Sequence, residues 1–124
     1  MTDRLAMKSI AQLLRFDGPL PEPQVYRPPA DRIISGDPVQ TAWNFFSSPD
    51  QRFHSGIWEC QPGKWRVIFT ESEFCQLTQG VLVVTAEDGS ALTFRAGDAF
   101  ATPAGFTGTW EVVETARKVY AFYE

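Results

Sequence analysis

The chain has 124 residues, 44% of them hydrophobic and 14% aromatic, which suits one domain with a single core and lies outside the composition of disordered chains. Eleven basic side chains stand against 15 acidic ones, a net charge of −4, so the chain lacks the basic footprint of a nucleic-acid binder or of a protein held to an anionic membrane surface. No apolar run approaches the length of a membrane-spanning helix; the longest candidates are Val81-Leu82-Val83-Val84 and the stretch around Trp43-Asn44-Phe45-Phe46.

In chain order, Thr2 to Phe16 read as a short amphipathic helix. Leu5, Ala6, Ile10, Leu13 and Leu14 recur at helical spacing, and Asp17-Gly18-Pro19 supplies the stop. Asp3, Arg4 and Lys8 leave no continuous apolar stretch for a secretory signal, so a cytoplasmic protein is expected. A proline-rich arm follows, with Pro19, Pro21, Pro23, Pro28 and Pro29. Proline has no N–H to give a central strand, which places this arm at a sheet edge or in extended chain. The predicted organisation is therefore a helix and arm over 1–30 and a domain over 31–124.

From Ile33 onward short apolar segments alternate with turn signals: Gly36-Asp37-Pro38, Ser47-Ser48-Pro49-Asp50, Pro62-Gly63, Gly80, Glu87-Asp88-Gly89, Ala96-Gly97-Asp98 and Pro103-Ala104-Gly105. That punctuation predicts an all-β sandwich or barrel, from Ile33 to about Tyr123. The two cysteines, Cys60 and Cys75, form no CxxC unit and are read as reduced thiols.

The stretch from Gly56 to Lys64, followed by Glu73, six residues and Gly80, resembles the first motif of the cupins. Gly97, then Pro103-Ala104-Gly105, resembles the second. Thr93 to Ala99, Gly108-Thr109-Trp110-Glu111-Val112 and Arg117-Lys118-Val119-Tyr120 are similar to the cupin subfamily named for ureidoglycine aminohydrolase. The resemblance runs from about Gly56 to Tyr120. It implies a double-stranded β-helix, the jelly-roll barrel, and an association into homodimers through sheet edges.

In that family a His-x-His pair, a glutamate and a further histidine hold a metal ion. Here the pair falls on Val67 and Phe69, or on Arg66 and Ile68 if the spacing is one residue longer, and the last histidine falls on Gly108. Only Glu73 remains, and one carboxylate is not a transition-metal site. No cofactor is therefore expected. The lumen should instead suit a small organic molecule, walled by Val67, Phe69, Glu73, Cys75 and Thr102, with Gly108 leaving the space of the lost imidazole.

Glu73 shares a strand face with Cys75, Leu77 and Gln79. In a partly apolar lumen its carboxyl would be a candidate acid or base; the plainer alternative is a glutamate held by a nearby Arg or Lys with no chemical task. Cys75 with His54, the only histidine, would form a nucleophile and base only if the fold joins them. Arg66, Arg95, Arg117 and Lys118 read as solvated or paired surface charges, and Trp58, Trp65 and Trp110 as core or interface packing. Three functions follow: a metal-independent binder of a small molecule, an enzyme of ureide metabolism, or an interaction module with a filled barrel.

Overall fold

A computed structural model describes residues 9–124. Among the described residues nine strands make one curled antiparallel sheet: β1 (Gln24–Tyr26), β2 (Ile33–Gly36), β3 (Gln40–Ser47), β4 (Phe53–Cys60), β5 (Gly63–Ile68), β6 (Ser72–Ala86), β7 (Ala91–Arg95), β8 (Ala99–Thr102) and β9 (Thr107–Tyr123). The 17-residue β9 is its axis. Along one edge β9 pairs with β4, from Cys60↔Ala116 to Phe53↔Tyr123, and then with β5, from Gly63↔Val112 to Ile68↔Thr107. β4 and β5 thus act as one strand interrupted at Gln61-Pro62. The other edge of β9 belongs to β6, whose far side carries β8 and β7 in the same interrupted manner. This doubling curls the sheet into the expected jelly-roll barrel.

Alternation sets the faces. In β9 the residues Trp110, Val112, Ala116, Lys118 and Tyr120 are buried, while their neighbours are half-buried or exposed. In β6 the buried positions are Cys75 and Leu77 before Gly80, and Leu82 after it. The register against β9 shifts between Leu77 and Leu82, and Gly80 takes φ +89° there. This irregularity moves the inward side chains from odd to even numbers. Gly80, expected at a chain reversal, therefore lies inside a strand; its neighbour Gln79 is turned out to solvent. Gly89, Gly97 and Gly105 do occupy reversals, each with positive φ.

The core gathers Trp58, Cys60, Trp65, Leu77, Leu82 and Trp110 among others. At the N-terminus the expected helix is not found in its described part: residues 9–16 contain a single 3-10 turn, Ile10–Gln12, capped by Ser9. Residues 1–8 of that expectation lie outside the described residues. The proline-rich arm supplies β1, which pairs with β3 through Gln24↔Ala42 and Tyr26↔Gln40. The arm thus belongs to the barrel of its own chain, and the sheet crosses the boundary expected at residue 30.

Candidate functional site

The concave face of β1, β3, β4, β5 and β9 encloses a cavity of about 450 Å³. Its walls are largely aromatic: Trp58, Trp65, Phe69, Trp110, Tyr120 and Phe122 all line it. Trp110 is the hub, with Trp58 edge-on at 5.8 Å and Phe69 at 5.7 Å between ring centroids. Its indole Nε1 is the one buried side-chain polar atom among the described residues that lacks a hydrogen-bond partner. Trp58 directs its own N–H to Gln40 Oε1 at 2.8 Å.

At the base of the cavity Lys118 donates to Glu73 Oε2 at 2.8 Å. Both side chains are withdrawn from water, 4% and 10% exposed. The Lys118 Nζ also lies 4.5 Å from the Trp58 ring centroid and 4.4 Å from that of Trp110. The ammonium is therefore held by a carboxylate and by two ring faces whose quadrupoles attract it. Lys118 was expected at the surface, so the structure corrects that position. The sign was present in β9: Lys118 shares the parity of Trp110, Ala116 and Tyr120.

The remaining polar groups have defined partners. Tyr120 donates its hydroxyl to Asn44 Oδ1 at 2.9 Å, and burial pushes its phenol up to about 12, so it stays protonated at neutral pH. Gly56 permits this approach, since a Cβ there would strike both the Tyr120 hydroxyl and the Trp43 carbonyl. His54 lies 2.9 Å from the carbonyl oxygen of Gln51 through Nε2 and 2.7 Å from Ser47 Oγ through Nδ1. A carbonyl only accepts, so Nε2 carries the proton and Nδ1 accepts from the serine. Both ring nitrogens thus have partners outside the cavity's lining.

Of the residues expected to form the site, Val67, Phe69 and Glu73 line the cavity. The alternative pair, Arg66 and Ile68, reaches only a smaller adjoining groove of about 250 Å³. Cys75, Thr102 and Gly108 are buried elsewhere: Cys75 in the core, Thr102 beside Glu73 on β8, and Gly108 between β5 and β6. Gly108 offers no imidazole-sized space, because a Cβ there would run into the carbonyl oxygen of Thr85. Cys75 is not brought to His54; burial pushes its thiol to about 11 and that of Cys60 to about 12. Sequence reasoning missed Tyr26, Gln40 and Asn44, which enter the wall from β1 and β3, and Glu71, which stands at its rim.

A metal ion does not fit this donor set. The motif positions carry Val67, Phe69 and Gly108, and the surviving Glu73 already has an ammonium within hydrogen-bonding distance. Among the described residues no three His, Cys, Asp or Glu side chains gather at metal-binding spacing.

Residues 47–120 match the EutQ-like cupin domain. A Pseudomonas syringae pv. tomato protein of unknown function superposes with a TM-score of 0.77 at 26% identity, over 88% of this chain and 46% of that one. The Clostridium difficile EutQ protein superposes at 0.61 and 19% identity, over 69% of this chain and 63% of that one. A putative ethanolamine utilization protein Q from Salmonella typhimurium gives 0.63 at 14% identity, over 86% and 98%. This chain thus spans less than two thirds of the first two proteins, and the last two likenesses concern the fold alone. No curated protein matches. The comparisons do not single out the ureidoglycine aminohydrolase branch.

Proposed function

The chain belongs to the EutQ-like cupin domain family, and from that premise we propose that its lumen is a metal-independent binding site for a small organic molecule. One observation carries this: an aromatic cavity of about 450 Å³ in which, among the described residues, the one ammonium is paired internally with the motif glutamate. The volume lies within the range of ligand pockets, about 300–1,000 Å³. Apolar walls with a few placed polar groups suit a ligand whose body stacks on rings and whose end forms hydrogen bonds. A barrel filled by its own side chains would leave no such space.

Glu73 serves here as the partner of Lys118 and as the cavity's polar pole. A hydrolytic role on ureides has little support from the wall: Glu73 is paired with Lys118, and the hydroxyl that His54 meets, that of Ser47, is not among the lining residues. The two free, buried cysteines are in keeping with a cytoplasmic protein. We also expect a homodimer, because among the described residues β1 and β2 end the strand path with one edge open. A monomer mass by light scattering would remove that expectation.

The test of binding uses a cavity-filling change. Ala42 lines the lumen from β3, and Ala42→Phe would occupy ligand space. A compound found by thermal-shift screening, at a hundred times its dissociation constant, stabilises the wild type by about 2.7 kcal/mol. It should leave Ala42→Phe unshifted. Equal shifts in both proteins would place the ligand outside the lumen.

A further inference from the structure

The cavity's charges do not cancel. Among the described residues its wall holds two carboxylates, Glu71 and Glu73, one ammonium, Lys118, and the imidazole of His54. Lys118 is committed to Glu73 and to two indole faces. Glu71 forms no ion pair among the described residues, and Lys118 acts on it only from a distance. Its carboxylate receives one hydrogen bond, from Thr70 Oγ1 at 3.3 Å, and the same hydroxyl lies 3.0 Å from Glu124 Oε2. A hydroxyl has a single proton, so two carboxylates compete for it. Burial raises the Glu71 pKa, and the neighbouring charges of Glu124 and Glu73 add to the effect.

The nearby arginines form no ion pair with Glu71 among the described residues, although Glu71 also lines the groove that holds them. The adjoining groove contains Arg27, Arg32 and Arg66. Arg27 is bound to Asp37 and Arg66 to Glu87. None of the three lines the inner cavity. An anion entering that cavity would meet Glu71, Glu73 and the negative faces of several rings, and the ammonium of Lys118 is already paired with Glu73. A cation would meet the same groups as partners, and its apolar body would lie against Trp65, Phe69 and Tyr26.

We propose that the lumen selects small organic cations, setting a protonated amine or amidine against Glu71 and the free oxygen of Glu73. This rests on the lumen being a small-molecule site and names the class of molecule it takes. The ring faces supply contact that a quaternary or aromatic ammonium can use, and the two carboxylates favour a donor with N–H groups.

Three probes of nearly equal shape separate the possibilities: benzylamine, benzyl alcohol and benzoate, titrated at neutral pH and followed by calorimetry and by NMR shifts of the tryptophan indoles. Benzylamine should bind about tenfold or more tightly than the alcohol, and benzoate more weakly than either. Glu71→Gln should bring the amine to within about threefold of the alcohol. Benzoate binding tightest, or three equal affinities, would overturn cation selection and leave the small-molecule site standing. An unchanged amine preference in Glu71→Gln would overturn the role given to that carboxylate. If none of the probes perturbs the indoles at millimolar concentration, both the cation assignment and the binding site fall together.

Discussion

Replacing Lys118 by methionine would leave Glu73 charged, nine-tenths buried and without its partner. At 2.8 Å and an effective dielectric constant of about 20, two unit charges attract by about 6 kcal/mol. Desolvation of both groups offsets most of that, so the pair itself contributes little against an apolar alternative. Breaking it is a different matter: an orphaned buried charge costs about 3–5 kcal/mol. The lost contacts with the Trp58 and Trp110 faces add to this, partly replaced by the thioether of the new methionine. Glu73→Leu should be similarly costly, since it strands the ammonium. The double variant Lys118→Met/Glu73→Leu should return to within about 2 kcal/mol of wild type, because no charge is left unpaired. Urea denaturation at neutral pH, with the m-value checked for constancy, measures all three. If the two single losses add up to the double loss within about 0.5 kcal/mol, the groups are not coupled and the buried-pair argument is wrong.

Other consequences can be checked directly. Gly108→Ala should destabilise the fold by about 1–3 kcal/mol through its collision with Thr85, and more than Gly89→Ala, which meets nothing and bears only the strain of positive φ; a reversed order in denaturation midpoints would contradict the β6–β9 geometry. Cys60 and Cys75, with thiols pushed to about 12 and about 11, should react with a disulfide reagent at pH about 8 only as fast as the protein unfolds, so rapid labelling of the native protein would refute their burial. For Glu71 the folded pKa is raised. The folded state therefore holds that proton more tightly, and its stabilisation, complete below the ordinary carboxylate value, is lost as pH rises through the folded pKa. The stability of Glu71→Gln minus that of wild type should accordingly grow as pH rises above the ordinary carboxylate range; a flat difference would show that Glu71 is unperturbed.

The barrel and part of its lumen were legible because their signals are local. Gly89, Gly97 and Gly105 mark turns through a backbone conformation that glycine adopts freely, and Val67, Phe69 and Glu73 fall on the wall by motif spacing and strand parity. What escaped depends on pairings across the sheet. Lys118 looks like any surface lysine until its strand is placed between β4 and β6, where its parity turns it inward. Tyr26 enters the wall only because a proline-rich arm returns to pair with β3. Gly108 looked like a vacated ligand position, yet its missing side chain makes room for the Thr85 carbonyl. No local pattern announces which backbone will approach which glycine.

The axial position of β9 has a bearing on biosynthesis. β4, β5 and β6 all take partners in residues 107–123, so none of them completes its hydrogen bonding until that stretch has left the ribosome. Before then the nascent chain can form the β3–β4, β6–β7 and β6–β8 pairings, but Trp58 and Trp65 wait for Trp110 with their faces bare. Partners so far apart along the chain make closure slow, and open edges beside exposed aromatic rings are what chaperones bind and what aggregates grow from. A ribosome stalled before Thr107 should therefore hold a protease-sensitive chain, and release of the next 17 residues should convert it to a resistant barrel in one step.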